Sequence, residues 1–150
     1  MNIVLHQPEI PHNTGAVGRT ALVTGSALHL IHPLGFSLDE KNLKRCGLDY
    51  WHRLDVREYD SFEDFLQKKP TGDMRFVETS GKRRYTDVGY SKGCFLVFGC
   101  ETTGLPRYII ERFGEKTVYI PMASGERSLN LSVAVGVVLF EALRQTCFSV

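Results

Sequence analysis

The sequence predicts an α/β fold: a mostly parallel sheet with helices on both faces, in one domain over 1–150. Three observations carry this. Short apolar runs alternate with amphipathic or helical stretches along the whole chain, with no linker, repeat or low-complexity segment between them. The run Cys94-Phe95-Leu96-Val97-Phe98 is continuously apolar, as a strand buried on both faces requires. Positions 131–140 are apolar nearly all round a helix, which predicts a buried C-terminal helix.

The elements follow in order. Ile3-Val4-Leu5 opens as a strand. Positions 13–25 read as a helix with Asn13 as N-cap after Pro11. A strand over 28–32 stops at Pro33, and a charged helix over 38–46 closes at Gly47. A short strand is expected at 54–56. Ser61, with Asp64 three residues on, opens a helix over 61–69. Strands follow at 75–77, 94–98 and 117–120. Pro106 begins a helix at its first turn, and the last helix covers 129–145.

Composition narrows the function. The 150 residues carry a net charge of +1, which excludes a nucleic-acid arm working by bulk charge but allows a local basic patch. The best apolar run, 133–140, falls far short of the roughly 20 residues that span a membrane. The first residues lack the layout of a signal peptide, and Cys46, Cys94, Cys100 and Cys147 form no C-x-x-C. Free thiols and a cytoplasmic location are expected. His29 and His32 have no neighbouring ligands at metal-site spacing, so no metal is expected.

Ligands of open parallel sheets bind at the carboxyl ends of strands. Three such ends here are rich in small residues: Glu78-Thr79-Ser80-Gly81, residues 99–106, and residues 121–128. Together they suggest one shared pocket. Standard motifs fail. G-x-G-x-x-G is absent, and Gly99 and Gly104 have P-loop spacing but are followed by Leu105-Pro106 in place of Lys-Ser/Thr. Gly89-Tyr90-Ser91-Lys92-Gly93 matches a nucleophile elbow, yet a strand follows it and no His comes after His52.

In Asn13-Thr14-Gly15-Ala16-Val17-Gly18-Arg19, Gly15 and Arg19 share a helix face. Two glycines early in a helix cost about 1 kcal/mol each, so a ligand or a packing neighbour must approach closely. Lys82-Arg83-Arg84, with Lys41, Lys44, Arg45, Tyr50 and Trp51, could form an RNA footprint or a merely solvated face.

Asn13-x-Gly15-x-x-x-Arg19, Phe98-Gly99-x-Glu101-x-x-Gly104-Leu105-Pro106, and Ile120-Pro121-Met122 followed by Ser128-Leu129-Asn130-Leu131-Ser132 together resemble the SPOUT (α/β-knot) RNA 2′-O-methyltransferases. Asn2-Ile3-Val4-Leu5, Pro8-Glu9-Ile10-Pro11, Gly47-Leu48-Asp49-Tyr50 and Glu141-Ala142-Leu143-Arg144-Gln145 narrow the resemblance to the TrmL (YibK) subfamily. It covers almost the whole chain.

The resemblance implies a C-terminal deep trefoil knot, a homodimer, S-adenosyl-L-methionine as methyl donor, and the ribose 2′-OH of a tRNA wobble nucleotide as acceptor. That nucleotide is cytidine 34 or a modified uridine of leucine tRNAs, gripped through the anticodon arm. DNA and membranes are not expected partners. Val77, Gly99, Gly104, Ile120, Met122 and Ser128 are expected at the cofactor. Asn13, Arg19 and Arg127 are expected at the substrate, and Arg19, Glu101 and Asn130 at the reaction, with Arg19 acting across the dimer interface. A guanidinium is a poor proton acceptor, so Arg19 would orient the ribose or its phosphate and stabilise developing alkoxide charge. Two positions depart from the pattern: Thr103 stands where arginine is frequent, and Val133 where a small or polar residue is common. The alternatives are the same chemistry on another tRNA or rRNA site, or a non-catalytic RNA-binding assembly factor.

Overall fold

The computed structural model describes residues 1–38, 50–69 and 71–148. The expected charged helix closing at Gly47, with Lys41, Lys44 and Arg45, lies outside the described residues. Seven strands form one sheet: β1 (Asn2–His6), β2 (Ala27–Ile31), β3 (Val56–Tyr59), β4 (Met74–Val77), β5 (Arg83–Arg84), β6 (Phe95–Phe98) and β7 (Thr117–Tyr119). Their order is β3-β2-β1-β6-β4-β7-β5, and every pairing is parallel. Helices α1 (Pro11–Val23), α2 (Phe62–Lys68), α3 (Arg107–Phe113) and α4 (Leu131–Gln145) cover the two faces.

Strand alternation makes two cores. Ile3, Leu5, Leu96 and Phe98 point to one face, where Val17 and Ala21 of α1 meet Val135, Val138 and Leu139 of α4. Val4, Phe95 and Val97 point to the other, against Phe62 and Phe65 of α2 and Ile109 of α3. The rings of Phe76 and Phe113 stack at 4.7 Å there. Each fully buried large side chain contributes about 1.5–3 kcal/mol. All of β6 is buried, as its unbroken apolar run requires.

Four expectations are corrected. Helix α1 begins at Pro11 with Ile10 as N-cap, so Asn13 sits inside the first turn and its side chain is committed elsewhere. The strand expected at 54–56 begins instead at Val56, because Trp51–Arg53 form a 3₁₀ turn closed by the Leu54 N–H on the Trp51 carbonyl. Helix α4 starts at Leu131, capped by the Asn130 side chain, and is buried on one side only. Its other side leaves Val133 and Phe140 about half exposed. Arg83–Arg84, read as a basic cluster, form the edge strand β5. Ser61, by contrast, caps α2 as expected, accepting the Asp64 N–H at 3.1 Å. Among the described residues no helix is long and apolar enough to cross a membrane.

His29 lies wholly buried in β2, bonded to the Tyr59 hydroxyl at 2.9 Å and the Asn2 side-chain oxygen at 3.1 Å. Burial drives its pKa down to about 4. An unfolded imidazole titrates near 6.5, so the unfolded chain takes up the proton first as pH falls. Stability is full above that value and declines between it and about pH 4, by at most about 3 kcal/mol. Urea midpoints measured across this window will fall with acidification, and His29→Gln will flatten the decline.

Candidate functional site

The carboxyl ends of β4, β6 and β7 lie side by side at one edge of the sheet, because these strands are parallel and adjacent or nearly so. The three turns leaving them, together with the first turns of α1 and α4, enclose a cavity of about 670 Å³. That is within the range of small-molecule sites. Val77, Phe98, Ile120, Met122, Leu131 and Ala134 give it apolar walls. Glu78, Glu101, Asn13, Arg127, Ser128 and Asn130 supply its polar groups.

A hydrogen-bond chain fixes the cavity wall. The Glu101 carboxylate accepts from the Glu9 N–H at 2.8 Å, the Ile10 N–H at 3.2 Å and the Asn13 side-chain amide at 2.9 Å. It thereby ties the segment that leads into α1, and the Asn13 side chain in its first turn, to the distant turn after β6. The Asn13 oxygen accepts from the Asn130 amide at 2.9 Å. The Asn130 oxygen in turn caps α4, taking the Ser132 N–H at 2.9 Å and its hydroxyl at 2.7 Å. Glu9 returns the contact, accepting the Thr102 N–H at 3.1 Å and hydroxyl at 2.9 Å.

The turn after β6 needs both its glycines. A Cβ on Gly99 would lie 2.0 Å from the Gly104 carbonyl carbon, so the turn folds back onto Gly99 itself. Gly104 has φ +70°, and a Cβ there would lie 2.8 Å from a Glu78 carboxylate oxygen. Glu78 was not among the site residues expected from sequence. Its carboxylate accepts the Leu105 N–H at 3.1 Å and the Thr79 N–H at 2.8 Å, joining the β4 and β6 turns. The signal was a carboxylate at a strand's carboxyl end inside a loop already singled out, which spacing alone does not separate from a solvated loop residue.

The structure therefore gathers Asn13, Val77, Gly99, Glu101, Gly104, Ile120, Met122, Arg127, Ser128 and Asn130 around one cavity. Arg19 is not among its lining residues. It stands six residues beyond Asn13, about 9 Å further along α1, on an exposed part of the helix. Tyr50 and Trp51 do not form an open stacking platform for bases: Tyr50 is buried and its hydroxyl bonds the Gly15 carbonyl, while the Trp51 ring packs on Gly18. Gly18 is thus explained by intramolecular packing. The basic cluster lies on the edge strand, where Lys82 pairs with Glu115 and Arg83 and Arg84 are exposed. Cys94 is buried and its thiol pushed up to about 11, so it packs as an inert apolar group.

Residues 1–140 match the model of the SpoU rRNA methylase family. The chain is 45% identical over 150 residues to a tRNA (cytidine(34)-2′-O)-methyltransferase of Burkholderia ambifaria, covering 98% of this chain and 96% of that protein. A solved structure concerned with 2-OH methylation of C/U34 on tRNA superposes with a TM-score of 0.91 at 46% identity, covering 97% of this chain and 95% of that one. An AdoMet-bound rRNA methyltransferase from Sinorhizobium meliloti superposes with a TM-score of 0.81 at 27% identity, over 95% of this chain and 55% of that one.

Variants at Gly99 and Glu101 test the cavity. Gly99→Ala forces the 99–105 turn away, and calorimetry with S-adenosyl-L-methionine will show loss of binding in a chain that still folds. Glu101→Ala leaves main-chain donors unpaired and will lower stability by about 2–4 kcal/mol in urea unfolding. Glu101→Gln will be nearly as damaging, because its NH₂ group must face other donors.

Proposed function

The chain belongs to the SpoU rRNA methylase family, and we propose that it is a tRNA (cytidine(34)-2′-O)-methyltransferase using S-adenosyl-L-methionine. Its acceptor is the wobble ribose, cytidine or modified uridine, of leucine tRNAs, reached through the anticodon arm. The single observation that carries this reading is the cavity at the ends of β4, β6 and β7, in which the three family-like segments converge. Its size and its apolar walls suit an adenine and a methionine chain, and the glycine turn admits close main-chain approach. Val77, Gly99, Gly104, Ile120, Met122 and Ser128 hold the cofactor.

When bound, the cofactor would supply a strongly electrophilic sulfonium methyl for the ribose hydroxyl. The protein's task is alignment, which alone is worth several kcal/mol. Glu101 and Asn130 act through position: their oxygens are taken up by main-chain donors and by Asn13, so they hold the cavity wall rather than move a proton. Asn13 and Arg127 line the substrate side, and Arg19 orients the ribose or its phosphate and stabilises developing negative charge.

The site is completed by a second copy of the chain. Two features support a homodimer: Arg19 does not line its own cavity, and α4 turns Val133 and Phe140 to solvent, with the exposed Leu129 just ahead of it at that cavity. Arg83 and Arg84 on the sheet edge are available for RNA phosphates. The deep trefoil knot belongs to the same reading, supported by the likeness to AdoMet-bound methyltransferases of this architecture. A cytoplasmic location belongs to the same reading.

The test is methyl transfer from labelled S-adenosyl-L-methionine to small RNA from cells lacking the protein, followed by nucleoside mapping. The expected label is a 2′-O-methyl at the wobble position. Label elsewhere replaces the target and keeps the chemistry. No label from a chain that binds cofactor favours a non-catalytic RNA-binding factor. Arg19→Ala will abolish transfer while cofactor affinity stays intact; equal loss of both makes Arg19 a support of the pocket.

A further inference from the structure

Arg19 is held by a device that its role in methyl transfer does not by itself demand. Its guanidinium carbon sits 3.9 Å from the centroid of the Tyr50 ring. Tyr50 is only 5% exposed, and its hydroxyl donates to the Gly15 carbonyl at 2.5 Å. Gly15 lies one helical turn before Arg19 on the same face of α1. The ring is therefore tied to the very turn of helix that carries the arginine.

The segment bearing Tyr50 is itself docked. The Arg53 N–H bonds the Tyr50 carbonyl at 2.9 Å, closing the 3₁₀ turn that follows it. The missing side chain of Gly18 makes room for the next residues: a Cβ there would meet the Trp51 ring at 3.1 Å and Leu54 at 3.2 Å. Gly18 of Asn13-x-Gly15-x-x-Gly18-Arg19 thus lets an aromatic segment pack against α1 beside the arginine.

We infer that Tyr50 is a positioning residue for Arg19, setting the direction of its guanidinium before RNA arrives. The inference rests on the assignment of Arg19 above. Arginine has a long, flexible stem, and an exposed one samples many rotamers. A cation–π contact with a desolvated ring restricts that freedom and holds the guanidinium beside the ring. The arginine thus has less freedom to lose in the reaction.

The experiment compares Tyr50→Leu, which removes the ring, with Tyr50→Phe, which keeps the ring and removes the tether. Steady-state kinetics on the RNA are read beside the Arg19 Nε–H resonance, identified by its disappearance in Arg19→Ala. In the wild type that resonance is displaced by the ring current of Tyr50. Tyr50→Leu will return it to the position of an ordinary arginine and lower kcat about 100-fold, the scale of a misplaced catalytic group, while cofactor affinity is unchanged. Tyr50→Phe will fall between the two on both readouts, and it decides the matter if Tyr50→Leu fails to fold. A wild-type kcat in a variant whose resonance has shifted overturns the inference alone. So does an undisplaced resonance in the wild type. A wild-type kcat in Arg19→Ala overturns the assignment of Arg19, and this inference with it.

Discussion

The carboxylate of Glu101 joins three parts of the chain that the sheet alone would leave to drift. It holds the Glu9 and Ile10 amides just ahead of α1 and grips Asn13, whose oxygen receives the amide of Asn130 at the head of α4. Hydrogen bonds to an ionised acceptor are the stronger kind, and leaving a partly buried donor unmade costs more than the bond contributes. The chain of bonds is therefore close to all-or-none. Lose Glu101, and the turn after β6, the start of α1 and the cap of α4 lose their common reference, with the cavity between them.

Around that clasp the parallel sheet does what parallel sheets do. Every strand points the same way, so β4, β6 and β7 deliver their carboxyl ends to one edge, and three glycine-containing turns meet there. The two cores beneath hold the edge still: α1 with α4 on one face, α2 with α3 on the other. Rigid packing below and main-chain-lined turns above suit a reaction that asks the protein for alignment more than for acid–base chemistry.

Helix α1 serves both sides of this arrangement. Its first turn, through Asn13, belongs to the cavity; Arg19, further along, does not line it. Gly18 between them carries the approach of Trp51, so the helix gives up intrinsic stability to gain a docked aromatic segment beside the guanidinium. The exposed apolar side of α4 belongs with the same division. A helix with Val133 and Phe140 turned outward is what a chain carries when its own core is not the last surface it will bury.

The sequence by itself determined the fold class, most strand positions, the Ser61 cap and the gathering of three loops into one site, because these depend on local periodicity and turn chemistry. It also pointed to the family, through motifs at fixed spacing. Tertiary structure decided what each polar group does. Asn13 looked like a helix cap and became a link between Glu101 and Asn130, partners 88 and 117 residues away. Glu78 looked like loop and became a brace between two turns. Tyr50 and Trp51 looked like a surface for bases and became packing for α1. Helix α4 looked buried and kept one apolar side outward, because a continuous apolar run does not say which neighbours arrive. Periodicity is a property of neighbours in sequence; the partner of a buried carboxylate or a glycine's empty side is a property of neighbours in space, and only the folded chain brings those together.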